Sequence, residues 1–127
     1  RLVADSILID GIAESINEQL LESKTVVIVF SCNLTKDSNA YNSYLKEDIK
    51  ERHRHRFEFN NEYLNEFETA GMIATGKNKE NNLVEVVEIP THPWFVGVQF
   101  HPEYKSTVSN PHPLFVGFIN ACLQNKK

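Results

Sequence analysis

Short runs rich in β-branched residues, each of strand length, constrain the fold of this chain most. They read TVVIVF at residues 25–30, LVEVVEI at 83–89 and WFVGVQF at 94–100. β-branched and aromatic side chains fit a pleated sheet, and the near-continuous apolar run at 94–100 indicates a strand covered on both faces. The run MIATG precedes LVEVVEI, and the polar turn KNKENN between them predicts two successive strands.

Helical spacing of apolar residues predicts three helices around these strands. Residues 3–21 place Ile7, Leu8, Ile12, Ile16 and Leu20 at helical intervals. NNEYLNEFETAG, at 60–71, begins with asparagines that suit an N-cap and ends on a glycine. Residues 110–127 predict a closing helix capped by Asn110, with Pro113 in its first turn and an apolar stripe of Leu114, Phe115, Phe118, Ile119 and Cys122. Ser38–Leu45 is a turn or a short helix, and the pattern leaves both open. The whole predicts an α/β chain.

Composition excludes several classes of protein. With 127 residues the chain forms one modest domain at most, and its net charge of −4 disfavours a nucleic-acid surface. No apolar run approaches the ~20 residues of a membrane span. Two cysteines are too few for a disulfide scaffold and favour a reducing, cytoplasmic location. The chain opens with Arg1 and has acidic early residues, so we expect no signal peptide and a piece of something longer.

The motif His-Pro-Glu at residues 101–103 follows the predicted strand 94–100. Pro102 biases His101 toward an extended conformation, in which residues i and i+2 point the same way, so Glu103 is expected to reach His101. A carboxylate on a histidine fixes its tautomer and stabilises the imidazolium, which makes the pair a general base awaiting a nucleophile. The structural alternative is a strand-ending turn with a surface ion pair.

The stretch ERHRHRFEF alternates over residues 51–59, and Ile49–Phe59 is predicted to be a strand. Arg52, Arg54 and Arg56 would face one way, with His53 and His55 on the other side. Three guanidinium groups on one face suit a carboxylate or phosphate, so a small anionic ligand or an internal ion-pair network is favoured. A solvated basic stripe, nucleic-acid binding and a metal pair at the histidines are the alternatives. Without a third ligand the histidines are weak evidence for zinc, and no metal site is predicted.

Neither cysteine is a convincing nucleophile. Cys122 lies on the apolar stripe of the closing helix and is expected to be inert core. Cys32, in FSCNLT, is expected to follow a strand, but it lacks the small flanking residues of a nucleophile elbow. His92 and His112 lie in proline turns and are expected to be structural.

These stretches together resemble one enzyme family. ERHRHRFEFN, AGMIATGKN, LVEVVEIPTHPWFVGVQFHPEY and NPHPLFVGFI are similar, in order and spacing, to the C-terminal part of the class I glutamine amidotransferase domain of CTP synthases. The resemblance implies a flavodoxin-like α/β fold, with a central mixed sheet and flanking helices. It also implies an enzyme that makes CTP from UTP, ATP with magnesium, and glutamine, with stimulation by GTP. Ammonia from a Cys-His-Glu glutaminase triad would pass to a separate synthetase domain.

By motif position the resemblance assigns His101 as the triad base, Glu103 as its orienting carboxylate and Arg56 as the residue that holds the glutamine α-carboxylate. The family's nucleophile elbow and oxyanion-hole loop find no match in this sequence. Residues 1–30 are therefore expected to be a divergent leader, and 31–127 the C-terminal part of the amidotransferase domain. The resemblance implies no cofactor in this chain, with glutamine, an upstream half-domain and a synthetase domain as partners.

Two functions follow from this resemblance. The first is a CTP synthase fragment that is inactive alone, since loss of a triad nucleophile costs on the order of a millionfold in turnover. The second is a non-catalytic remnant that acts as a binding or partner-pairing module.

Overall fold

The computed structural model describes residues 28–126. The predicted helix at 3–21 and most of the predicted leader at 1–30 lie outside this range. Its strands are β1 (Ile28–Leu34), β2 (Asp48–His53), β3 (Ile73–Asn78), β4 (Val84–Glu88) and β5 (Val96–Val98). Its α-helices are α1 (Asn39–Tyr44), α2 (Leu64–Thr69) and α3 (Pro113–Gln124). Two 3-10 helices cover Asn61–Tyr63 and Pro102–Lys105. None of the described helices is long and apolar enough to cross a membrane.

The strands form one sheet in the order β2-β1-β3-β4-β5. All pairings among the described residues are antiparallel, although a mixed sheet was predicted. β3 and β4 form the predicted hairpin, with irregular register around Gly76. There, an added Cβ would lie 2.7 Å from Val86 Cγ2 and 2.9 Å from Cys32 Sγ, so the close packing of neighbouring strands requires glycine.

The sheet is strongly curled. In a flat sheet, β2 and β4 would be three steps of about 4.8 Å apart, or about 14 Å. Yet His53 Nδ1 on β2 lies 3.5 Å from Glu85 Oε2 on β4. The backbone N–H of His101, just after β5, also donates to Arg52 O on β2 at 3.1 Å. The curl therefore brings the two ends of the strand order together beside the His-Pro-Glu motif.

Two apolar clusters stabilise this arrangement. The larger joins the sheet to α1 and α3 through Cys32, Leu34, Ala40, Ile49, Val86, Phe100 and Leu114. The smaller contains Phe59, Val84 and Val87, with Leu64 and Met72 packed against it.

The segment 38–45, for which the sequence left a turn or a short helix open, contains the helix α1. Its cap Ser38 accepts from Tyr41 N, and the buried Glu88 carboxylate accepts from the amides of Asn39 and Ala40 at 2.9 Å.

Two strands are shorter than predicted. β2 ends at His53, although the predicted strand runs to Phe59. Burial alternates only as far as Arg56, because Arg56 and Phe57 are both exposed. The predicted strand at 94–100 retains three residues as β5, which pairs with β4 alone and is half-buried rather than covered on both faces. The predicted helix at 60–71 is confirmed as a 3-10 turn leading into α2, and Gly71 takes φ +95° after its end.

The closing helix is confirmed, but its cap and buried face differ from prediction. His112, not Asn110, is the N-cap, because the following Pro113 favours the extended conformation that a cap needs. The helix buries Leu114 and packs Gly117 against Trp94 and Ser43. The rest of the predicted apolar stripe is exposed, including Phe115, Phe118, Ile119 and Cys122. The close contact of α3 with the rest of the protein is made by the small residue Gly117 instead.

Candidate functional site

The His101 and Glu103 side chains are in direct contact. His101 Nδ1–H donates to Glu103 Oε1 at 2.6 Å, and this hydrogen bond lowers the pKa of the Glu103 carboxyl. The predicted contact occurs, but not through the extended segment that was expected. His101 precedes the 3-10 helix Pro102–Lys105, whose first turn brings Glu103 back toward the ring. With its proton on Nδ1, the imidazole has a free lone pair on Nε2, which is the atom that can accept a proton.

The ring of His101 is held by its surroundings rather than by deep burial. Its side chain is 37% exposed. Tyr104 stacks on the ring with centroids 5.0 Å apart and planes inclined by 17°. The Arg52 guanidinium carbon lies 5.0 Å from the Tyr104 ring centroid, a cation–π contact. The imidazole is thus oriented by a carboxylate on one side and an aromatic plane on another, yet stays accessible to a ligand.

The arginines of the RHRHR stretch lie on the outer side, as alternation predicted. Arg52 is half-buried, whereas Arg54 and Arg56 are exposed. Arg56 lies beyond the end of β2, with its guanidinium carbon 5.8 Å from the Phe57 ring centroid. No hydrogen bond, ion pair or ring contact between described residues joins Arg56 to His101 or Glu103. Among the described residues Arg56 is one of the exposed ones, so its side chain is in contact with solvent.

On the inner side of β2, Glu51 is buried against the start of α3. Glu51 Oε1 accepts from His112 Nε2 at 2.9 Å and from the Tyr44 hydroxyl at 2.8 Å. Burial opposes ionisation, but the hydrogen bonds from His112 and Tyr44 outweigh it, and the pKa of Glu51 falls below its ordinary value. His112 Nδ1 accepts from Leu114 N at 3.2 Å, so His112 is the neutral tautomer with its proton on Nε2. His112 has the predicted structural role.

The inward histidines converge on a third polar side chain. His53 Nδ1 and His55 Nε2 are 2.9 Å apart, and Glu85 Oε2 lies 3.5 Å from His53 Nδ1. Burial, with His55 as a further cause, lowers the pKa of His53 to about 4. Burial likewise lowers the pKa of His55. Burial, with the charge of Glu58 as a further cause, raises the pKa of Glu85 to about 8. We call His53, His55 and Glu85 the inner cluster.

Cys32 lies within β1 rather than after a strand, which corrects the sequence-based placement. Its side chain is buried among Leu34, Ile49 and Val86. Burial, and secondarily the charges of Glu85 and Asp48, raise the pKa of the thiol to about 12. Because the thiolate is the nucleophile, Cys32 is unsuited to attack a substrate.

The buried carboxylates Glu51, Glu85 and Glu88 were missed by sequence reasoning. A signal existed for one of them, since Glu51 alternates with Ile49 and His53 on the buried face of β2. Glu85 and Glu88 lie in a strand whose five residues are all buried. Their burial on both faces results from the curl of the sheet and from α1, which local alternation does not reveal.

Comparison with known proteins decides the family. A family model described as glutamine amidotransferase class-I matches residues 9–121. The chain belongs to the class I glutamine amidotransferases. Within that family it is 58% identical over 98 residues to a CTP synthase from Bacteroides thetaiotaomicron. It is 59% identical over 97 residues to one from Bdellovibrio bacteriovorus. The predicted resemblance to CTP synthases is therefore confirmed.

A solved structure also matches this class I amidotransferase chain. The glutaminase domain of Trypanosoma brucei CTPS with bound acivicin superposes with a TM-score of 0.72 and 30% identity, over 80% of this chain and 40% of that one. This similarity confirms the predicted α/β amidotransferase fold. The Bacteroides match covers 77% of this chain but 18% of the relative, so the chain spans less than a fifth of that protein's length.

Proposed function

We propose that this chain supplies the histidine base and its orienting carboxylate to the glutamine-hydrolysing site of a CTP synthase. The observation that carries the proposal is the 2.6 Å contact between His101 Nδ1 and Glu103 Oε1, which leaves Nε2 of a partly exposed ring free. A base so oriented can take the proton of a thiol and hold the resulting positive charge beside Glu103.

In the proposed reaction, His101 Nε2 removes the thiol proton while the sulfur attacks the carboxamide carbon of glutamine. The imidazolium then returns the proton to the amide nitrogen, which leaves as ammonia, and the glutamyl group stays bound to the sulfur as a thioester. Water activated by the same Nε2 adds to the thioester, releasing glutamate and restoring the thiol. Arg56 is proposed to bind the glutamine α-carboxylate, since arginine can pair with a carboxylate through two N–H groups.

The nucleophile is proposed to lie outside the described residues. Cys32 is enclosed by the core, and its pKa of about 12 keeps the thiol protonated. We therefore propose an upstream part of the amidotransferase domain as the partner that provides the thiol, and a synthetase domain as the acceptor of ammonia. ATP, magnesium and GTP are proposed as requirements of that complete enzyme, and we assign no described residue to them. A cytoplasmic location stays a prediction.

The first test is ammonia release from glutamine by the chain alone, beside its Cys32→Ser and His101→Ala variants. We expect no release above background from any of the three proteins. Release that both substitutions abolish would instead make Cys32 the nucleophile and overturn the proposed division of the triad.

The second test supplies the upstream part of the amidotransferase domain from the Bacteroides relative as a separate chain. We expect glutamine hydrolysis to appear in the mixture and His101→Ala to lower kcat by on the order of a hundredfold or more. Glu103→Gln should also lower kcat, whereas His92→Ala, outside the pair, should not. Equal activity of the His101→Ala mixture would refute a base at this position.

The alternative, a binding or partner-pairing module, rests on the exposed Arg56 guanidinium. It expects saturable glutamine binding without hydrolysis, in the mixture as well as alone. Equilibrium dialysis with labelled glutamine, comparing the chain with Arg56→Gln, tests the glutamine binding that both proposals place at Arg56. Saturable binding without hydrolysis in the mixture would favour the alternative, and hydrolysis in the mixture would refute it.

A further inference from the structure

The inner cluster has the composition and spacing of a transition-metal site. One ligand atom from each of His53, His55 and Glu85 lies within 4.8 Å of the other two. Four ligands at about 2.0–2.1 Å from a tetrahedral zinc ion are about 3.3 Å from one another. The distances of 2.9 Å between the two imidazole nitrogens and 3.5 Å from His53 Nδ1 to Glu85 Oε2 bracket this value. Small side-chain movements would therefore fit an ion.

The polar atoms of the cluster are incompletely satisfied by the protein. The side chains of His53 and Glu85 are 2% and 5% exposed. Glu85 Oε2 and His53 Nε2 nevertheless have no hydrogen-bond partner among residues 28–126. An unpartnered buried polar atom costs about 1–3 kcal/mol, so Glu85 aims an unsatisfied oxygen at two imidazoles without an evident structural gain. A bound cation would provide the missing partner for the carboxylate oxygen.

We propose that His53, His55 and Glu85 bind a divalent transition-metal ion of the zinc class. Two imidazoles and one carboxylate are ligands that suit zinc, and they leave a fourth position for water. Magnesium and calcium are disfavoured because they prefer all-oxygen coordination. The sequence predicted no metal because only two histidines were evident there. Glu85, which the curl of the sheet brings close to the two histidines, is the third ligand.

Binding requires a change in the protons of the cluster. The contact between His53 Nδ1 and His55 Nε2 has a proton on one of these two nitrogens. Both nitrogens must present lone pairs to the metal, so one ring moves its proton to its other nitrogen by exchange with water. Glu85, whose pKa burial raises to about 8, releases its carboxyl proton to water when the metal binds. His55, which lies beyond the end of β2 and is half-buried, provides the more accessible ligand.

The test is zinc titration of the metal-free full chain by calorimetry, followed by visible spectroscopy with cobalt. We expect about one zinc ion per chain, and intense cobalt bands typical of four-coordinate sites. Glu85→Gln and His55→Gln should each weaken zinc binding by at least about tenfold. The matched controls His101→Gln and His92→Gln remove imidazoles outside the cluster and should retain the wild-type affinity.

Four outcomes would overturn the proposal. The first three are substoichiometric zinc binding by the wild-type chain, a weak six-coordinate cobalt spectrum, and equal zinc affinity in Glu85→Gln. Loss of binding in His101→Gln would place the ion at the His-Pro-Glu motif instead and would also overturn it. The cobalt spectrum is measured on the wild-type chain, so the test stays decisive even where a substituted chain misfolds. The readouts are independent of glutamine hydrolysis.

Discussion

His112 makes two interactions whose energies can be measured separately: a hydrogen bond to the buried Glu51 and the N-cap of α3. Its Nδ1 caps α3 by accepting from Leu114 N at 3.2 Å, while its Nε2–H donates to Glu51 at 2.9 Å. A lost N-cap costs about 1 kcal/mol, and a lost hydrogen bond to a charged group about 2 kcal/mol. His112→Ala should therefore lower the free energy of unfolding by about 3 kcal/mol.

His112→Asn is the matched variant. Asparagine is among the best N-cap residues but is too short to reach Glu51, so this variant should lose about 2 kcal/mol and keep the cap. Urea unfolding followed by circular dichroism measures both values. At about 4 °C per kcal/mol, the corresponding shifts in Tm are about 12 °C for His112→Ala and 8 °C for His112→Asn.

A double-mutant cycle with Glu51→Gln checks the assignment. The coupling between Glu51 and His112 should be about 1–2 kcal/mol, since the two side chains share a buried hydrogen bond. Equal losses in His112→Ala and His112→Asn would show that the cap contributes nothing. A loss below about 0.5 kcal/mol in His112→Asn would refute the stabilising role of the Glu51 contact.

Other predictions concern the core and the His-Pro-Glu motif. At pH 8, a disulfide reagent should label the exposed Cys122 quickly and Cys32 only after unfolding, because the buried Cys32 thiol has a pKa of about 12. Labelling of both thiols in the native chain would contradict this burial. Gly76→Ala should destabilise the chain by about 1–3 kcal/mol in urea unfolding, since its Cβ would overlap two strands; unchanged stability would contradict the close packing. Nitrogen NMR should show the His101 proton on Nδ1, and Glu103→Gln should shift that signal; a majority of the other tautomer would contradict the contact.

The sequence predicted local structure better than the way in which distant strands meet. The polar turn KNKENN, the asparagine cap of the 3-10 helix before α2 and the proline at the start of α3 act within a few residues, so their effects could be read directly. The contact of His101 with Glu103 was expected for the same reason, even though a 3-10 turn rather than an extended segment produces it.

The inner cluster could not be predicted by such local rules. Its members come from β2, the segment after it and β4, and they meet only because the sheet curls. Curl depends on pairing between strands far apart in the chain, which no short pattern records. The exposed face of α3 is a related case, because apolar spacing predicted a stripe but not that small Gly117 would make the close contact.

The hydrogen bond from His101 N to Arg52 O closes the curled sheet at its two outer strands. This hydrogen bond can break while the hairpin of β3 and β4 stays folded, since local opening costs less free energy than global unfolding. Hydrogen exchange at the His101 amide would therefore report how often the His101 segment separates from Arg52 on β2. The fraction of molecules in which His101 lies against β2 would then be set by this hydrogen bond, and not by the overall stability of the chain.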